Sequence, residues 1–161
     1  MARIFISPSK YIQGPGELDS LGTYTKAYGA KPLVIISAGG IRRFGDRVKA
    51  SLSDAGLAPV FEEFNGECSQ DEIDRLSALA KSNEADVVIG LGGGKIFDTA
   101  KAVANAVDAP VVIVPTIAAT DAPCSALSVV YTPEGEFKEY QFFKHSPNLV
   151  LMDSAVIAKS P

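Results

Sequence analysis

The sequence predicts a doubly wound α/β domain, a mostly parallel sheet covered by helices on both faces, and two observations carry that prediction. Short β-branched runs alternate with amphipathic stretches along the 161 residues, the pattern of successive strand–helix–strand units. The strand-like runs are continuously apolar instead of alternating, as strands buried on both faces must be. A chain of this length buries roughly two thirds of its unfolded surface as one domain and has no room for a second full one.

The elements follow in order. After an entry punctuated by proline and glycine (Ile4–Ser7, then Tyr11–Gly16), Leu18–Gly29 reads as a first helix ended by glycine. Leu33–Ser37 is a buried strand, and Gly39 and Gly40 form the turn out of it. Ile41–Ala55 is a helix, because Phe44, Val48 and Leu52 recur every four residues. Val60–Phe64 is a strand, and Ser69 with Glu72 makes a capping box for a helix whose apolar stripe is Ile73, Leu76, Leu79 and Ala80. Asp86–Leu91 is the next strand; Gly92-Gly93-Gly94 turns it straight into a helix from about Lys95 to Val107. Pro110–Val114 is a strand followed by a Thr-, Ala- and Pro-rich loop to Cys124, placed where open α/β sheets bind ligands. Leu127–Thr132 and Glu136–Phe142 around Pro133-Glu134-Gly135 predict a hairpin near the C-terminal end. Asn148–Met152 is a last strand, and Asp153 caps a helix that is only beginning.

Composition narrows the class of function. Apolar residues at 47% and charged ones at 21% are ordinary globular values. No apolar run approaches the roughly 20 residues that span a bilayer, and the first ten residues lack the pattern of a secretory signal, so a cytoplasmic protein without a membrane partner is expected. A net charge of −4 and a pI near 5.0 give no basic footprint for nucleic acid. Neither Cys68 nor Cys124 has a second cysteine nearby, so two free thiols are expected.

Two stretches carry chemistry. In Gly92-Gly93-Gly94-Lys95, glycines remove the Cβ atoms that keep a phosphate from the backbone, while the helix start supplies unpaired N–H donors and a positive dipole end. A tight turn alone needs fewer glycines. The spacing matches neither the usual dinucleotide fingerprint nor a P-loop, so by itself it says only that a phosphate is bound. In Pro115–Ser125, hydroxyls and the Asp121 carboxylate face the same crevice, unless they bond only to their own backbone as Asx or ST turns.

Together with Ser7-Pro8-Ser9-Lys10-Tyr11-Ile12-Gln13-Gly14, Gly66-Glu67-Cys68-Ser69, Asp98-Thr99-Ala100-Lys101 and Thr120–Ser128, these stretches resemble the glycerol dehydrogenase branch of the metal-dependent, iron-containing (group III) alcohol dehydrogenase family. The resemblance runs along the whole chain. It implies a Rossmann-like NAD-binding domain over residues 1–161, with the helical second domain absent. It places Gly93, Gly94 and Lys95 at the pyrophosphate of NAD, with Thr116 and Ala119 on the loop bordering the cofactor. It puts Ser125, Leu127 and Tyr131 around the nicotinamide and its ribose, and Asp121 at the hydroxyls of glycerol or another small polyol. An ionised carboxylate suits that last role, since it accepts two hydroxyl donors at once.

Ser37 stands where the family has an acid that reads the adenosine ribose, so NADP enters as a second cofactor candidate. The resemblance also implies a divalent metal, zinc or another, held by one aspartate and two histidines in the second domain. None of those positions exists in residues 1–161, and His145 is the sole histidine. Without a metal the alcohol stays too weak an acid to ionise at neutral pH, so the residues present are expected to bind cofactor with little or no turnover. Exposed surface left by a missing domain is expected to favour homo-oligomers. Two other readings stay open: a related enzyme such as dehydroquinate synthase or glycerol-1-phosphate dehydrogenase, and a non-catalytic assembly or regulatory module. The first would want basic residues around the Asp121 loop, and none lies between Thr116 and Tyr131.

Overall fold

A computed structural model describes residues 2–160. Its centre is a six-stranded parallel sheet built from β1 (Tyr11–Gly14), β2 (Pro32–Ile36), β3 (Val60–Glu63), β4 (Val87–Gly92), β5 (Val111–Pro115) and β8 (Leu149–Asp153), in the order β1-β8-β5-β4-β2-β3. Every residue of β2 and β5 is buried, which explains their unbroken apolar sequence. Alternate residues of each central strand face opposite layers. On one side Val34, Ile36, Ile89, Leu91, Val112 and Val114 pack under Leu18, Leu21, Val48 and Leu52 of α1 (Leu21–Thr25), α2 (Ala38–Asp54) and the turn before α1. On the other, Leu33, Ile35, Val88, Ile113 and Val150 meet Ile73, Leu76, Phe97 and Val103 of α3 (Gln70–Ser82) and α4 (Gly94–Val107). The predicted doubly wound class therefore holds.

The hairpin forms a separate two-stranded antiparallel sheet of β6 (Leu127–Tyr131) and β7 (Phe137–Phe142). It lies across α4, with Ser128 and Val130 buried and Ser128 Oγ donating to the Asp98 carbonyl at 2.7 Å. The chain then returns to β8 and the short α5 (Ser154–Ile157), capped by Asp153 as expected.

Three local expectations are corrected. The helix predicted over Leu18–Gly29 is a 3₁₀ turn at Glu17–Ser20 followed by only five α-helical residues. The run Gly22-Thr23-Tyr24-Thr25 is rich in weak helix formers, and the N–H groups of Tyr28 and Gly29 both return to the Thr25 carbonyl, tightening the end. Tyr11–Gly14 is a strand paired with β8, not merely an entry segment. Gly39 and Gly40 lie inside the first turn of α2, whose N-cap is Ser37, its Oγ accepting from Gly40 N. A Cβ at Gly40 would stand 2.7 Å from the Ile36 side chain, so glycine here permits the helix to start directly against its strand.

Candidate functional site

The chain reverses its winding between β2 and β4, and ligands of open α/β sheets bind outside the strand ends at such a point. Three predicted residues sit on that rim: Ser37 after β2, Gly93 after β4 and Thr116 after β5. Gly92 ends β4 at φ +155°, so the turn favours glycine for its conformation, and a Cβ there would also displace the tip of the Ile96 side chain, 2.5 Å away. Gly93 and Gly94 differ. A Cβ at either would meet nothing closer than 3.4 Å, so neither is demanded by packing, and their lack of side chains leaves open space over the start of α4.

That helix start is available to an anion. α2, α3 and α5 are each capped by a side chain, Ser37, Ser69 and Asp153, and α3 also carries acids in its first turn. α4 runs 14 residues with no side-chain cap and no acid in its first turn. The Gly94 and Lys95 N–H groups thus lack intrahelical and side-chain partners, whereas those of Ile96 and Phe97 turn back to the Gly93 carbonyl. Lys95 stands beside them, half exposed, ion-paired to Glu67 at 2.6 Å and over the Tyr131 ring at 5.9 Å. Its charge is shared with Glu67.

From this helix start a cavity of about 270 Å³ opens between α4, the loop after β5 and β6. Gly94, Lys95, Asp121, Ser125, Leu127 and Tyr131 line it, joined by Asp98 and Val129. Thr116, Ala119, Gly93 and Ser37 do not. The Thr116 hydroxyl donates to the Gly92 carbonyl at 3.1 Å and its N–H to the same oxygen at 2.9 Å, so Thr116 ties β5 to the glycine turn. Ala119 is exposed on the loop. Within the loop Thr120 forms the local turn considered for it, its Oγ1 accepting from Ala122 N at 3.1 Å. The exposed Asp121 carboxylate makes no hydrogen bond or ion pair among the described residues.

The group that sequence reasoning missed is the pair Asp98 and Lys101 on the buried side of α4. Their charged atoms lie 3.0 Å apart, and Lys101 is 2% exposed. The Lys101 ammonium donates to the Ala122 carbonyl at 2.9 Å, to Ser125 Oγ at 3.2 Å and to the Leu127 carbonyl, while Asp98 accepts from Val129 N at 3.2 Å. A basic residue therefore does sit beneath the Asp121 loop, reached from a helix, with its protons already committed. Burial pushes the Asp98 carboxyl up and the Lys101 ammonium down from their ordinary values, and their mutual attraction opposes both shifts.

Neither cysteine offers a thiolate. Burial pushes the Cys68 thiol up to about 11, and burial with the nearby Asp121 charge raises Cys124. His145 is exposed in the segment before β8, and among the described residues no group of three or more metal-ligating side chains gathers. The divalent metal expected from the resemblance thus finds no ligand set here. No helix among the described residues is long and apolar enough to cross a membrane.

Comparison with known proteins identifies the family. The chain is 50% identical to a glycerol dehydrogenase of Pseudomonas putida over its whole length, and 42% identical to a glycolaldehyde reductase of Halobacterium salinarum. It spans 44% of the length of each. The crystal structure of a probable glycerol dehydrogenase from Sinorhizobium meliloti superposes with a TM-score of 0.92 at 42% identity, covering 99% of this chain and 43% of that one. Residues 8–154 match the family described as iron-containing alcohol dehydrogenase, and the chain belongs to that family.

Proposed function

We propose that residues 1–161 are the dinucleotide-binding domain of an NAD-dependent glycerol dehydrogenase, with the metal ligands carried by a helical second domain outside these residues. The observation that carries the reading is the uncapped start of α4 under Gly93 and Gly94, opening into the cavity that holds the unpartnered Asp121 carboxylate. NAD, when bound, would supply the acceptor for a hydride from the alcohol carbon. The chain's own part is to hold and shield. The α4 N–H groups and Lys95 take the pyrophosphate. Leu127, Val129 and Tyr131 form an apolar wall that keeps water from the nicotinamide. Asp121 accepts hydroxyl hydrogen bonds from a small polyol. Two free thiols suit a reducing cytoplasm.

Calorimetric titration with NAD tests the reading. Gly94→Val fills the space over α4 and should weaken binding by at least about tenfold, the worth of one charge-assisted hydrogen bond. Lys95→Ala should cost less, about 1 kcal/mol, because its half-exposed charge is shared with Glu67. No heat with the unaltered chain up to millimolar NAD would overturn the proposal.

Ser37 bears on cofactor choice. A missing acid removes the like-charge penalty against a 2′-phosphate together with the ribose hydrogen bonds that favour NAD. Aspartate caps helices as well as serine does, so Ser37→Asp should leave α2 intact. It should shift preference toward NAD over NADP by about tenfold or more, read by competition binding. An unchanged ratio would show that another residue reads the ribose.

A further inference from the structure

The cation beside the start of α4 is already engaged. The Lys95 ammonium stands 2.6 Å from Glu67 Oε2 and 5.9 Å from the centre of the Tyr131 ring. The two charged partners differ in freedom. The Lys95 side chain is 55% exposed, whereas that of Glu67 is 16% exposed. Glu67 Oε1 accepts from Cys68 N at 3.0 Å, and the Glu67 N–H donates to Asn65 Oδ1 at 3.3 Å. The Cys68 carbonyl in turn accepts from Tyr131 N at 2.8 Å, which joins the loop before α3 to the wall of the cavity. The hairpin turn lies against the same carboxylate, since a Cβ at Gly135 would stand 3.5 Å from Glu67 Oε2. The carboxylate is therefore held in place, and the ammonium is the part that can turn.

The loop itself does not require the charge. A glutamine at position 67 would keep an oxygen for Cys68 N, and among the described residues the negative charge of Glu67 has Lys95 as its one ion-pair partner. Its effect falls on the lysine. It gives the ammonium a rival to any phosphate bound at the start of α4.

We propose that Glu67 is a positioning residue that competes with the cofactor's pyrophosphate for the Lys95 ammonium, and so sets how tightly the dinucleotide is held. The inference rests on assigning the start of α4 to that pyrophosphate. An exposed ion pair is worth at most about fivefold in an equilibrium constant. A charge-assisted hydrogen bond to a phosphate is worth about tenfold or more. Lys95 therefore leaves Glu67 for the pyrophosphate, and affinity falls by the smaller factor. Release of a bound product limits the turnover of many enzymes, and a built-in competitor shortens the stay of the cofactor while leaving its contacts unchanged.

Calorimetry with NAD and with ADP-ribose, which keeps the pyrophosphate and lacks the nicotinamide, tests the competition in four chains: unaltered, Glu67→Gln, Lys95→Ala and the double variant. Glu67→Gln should bind both ligands about threefold to fivefold more tightly, and the gain should shrink at about 0.5 M salt, where an exposed pair is screened. With Lys95 already alanine, the same change should alter affinity by less than about 1.5-fold, because the coupling runs through the lysine. Side-chain ammonium NMR gives a second readout, independent of affinity. The Lys95 signal should shift on Glu67→Gln in the free chain, and ADP-ribose should shift it in both chains. Unchanged or weaker binding by Glu67→Gln overturns the competition, as does a Lys95 signal that ignores the substitution. An equal gain in the Lys95→Ala background, or a gain with NAD and none with ADP-ribose, overturns it too. No heat from any of the four chains with either ligand sinks the dinucleotide reading and the competition with it, whereas binding by the unaltered chain makes each of the other failures a failure of the competition alone.

Discussion

Replacing Lys101 by methionine should lower the unfolding free energy by about 3–5 kcal/mol, because it leaves Asp98 a buried charge without its partner. The loss has a second component. Lys101 joins three points of the chain, the Ala122 and Leu127 carbonyls and Ser125 Oγ, to one helix position, so its removal also frees the loop that walls the cavity. Adding Asp98→Asn should recover part of the loss, since the amide oxygen can still accept from Val129 N without carrying charge. The pH dependence follows from burial. Asp98 is already pushed upward, and without Lys101 it rises further, so the folded variant holds a proton that the unfolded chain releases. Stability then falls as pH rises, and the deficit should be smaller at pH 5 than at pH 8. Urea unfolding at both values measures it, and a loss below about 1 kcal/mol would mean that the pair is no more than an exposed surface bridge.

The sequence carried a sign of this pair that local reading passes over. Ile96, Phe97, Ala100, Ala102, Val103 and Ala104 leave α4 apolar nearly all round, and a helix of that kind is buried. Charges at 98 and 101 therefore had to be buried with it and paired. What the sequence could not show was the partner list, because two of the Lys101 acceptors are backbone carbonyls, which have no sequence signature. The same limit explains the loop. Strand ends and the glycine turn were legible from periodicity, but whether Thr116 or Asp121 faces the cavity depends on the folded loop, where the Gly92 carbonyl holds the Thr116 hydroxyl and a Thr120–Ala122 turn shapes the backbone around Asp121. β1 was missed for a related reason: four half-exposed residues pair with a strand at the far end of the chain, and nothing local records that partner.

Asp153→Ala should be the most damaging single change away from the site. The residue reads in the sequence as the cap of α5, and it is that, accepting from Ala155 N at 2.9 Å and Val156 N at 3.3 Å. It also accepts from Gly16 N at 3.0 Å and Leu18 N at 3.1 Å, and it pairs with Arg47 at 3.2 Å. One carboxylate thus binds the two ends of the domain together at the end of β8. Alanine strands several donors, each costing about 1–3 kcal/mol where water does not replace the oxygen, so a total near 4 kcal/mol is expected. Asparagine keeps one acceptor oxygen and should cost about half as much. Burial alone would raise this carboxyl, but the four backbone N–H groups outweigh it and hold it below the ordinary range. A depressed folded value means that the stabilisation is complete above the unfolded pKa of about 3.9 and is lost as pH falls through the folded one. The gap between the unaltered chain and Asp153→Ala should therefore be widest near neutrality and close in strong acid. Urea midpoints at pH 7 and pH 3 give the comparison, and an equal gap at both would show that the loss comes from side-chain packing and not from the charged acceptor.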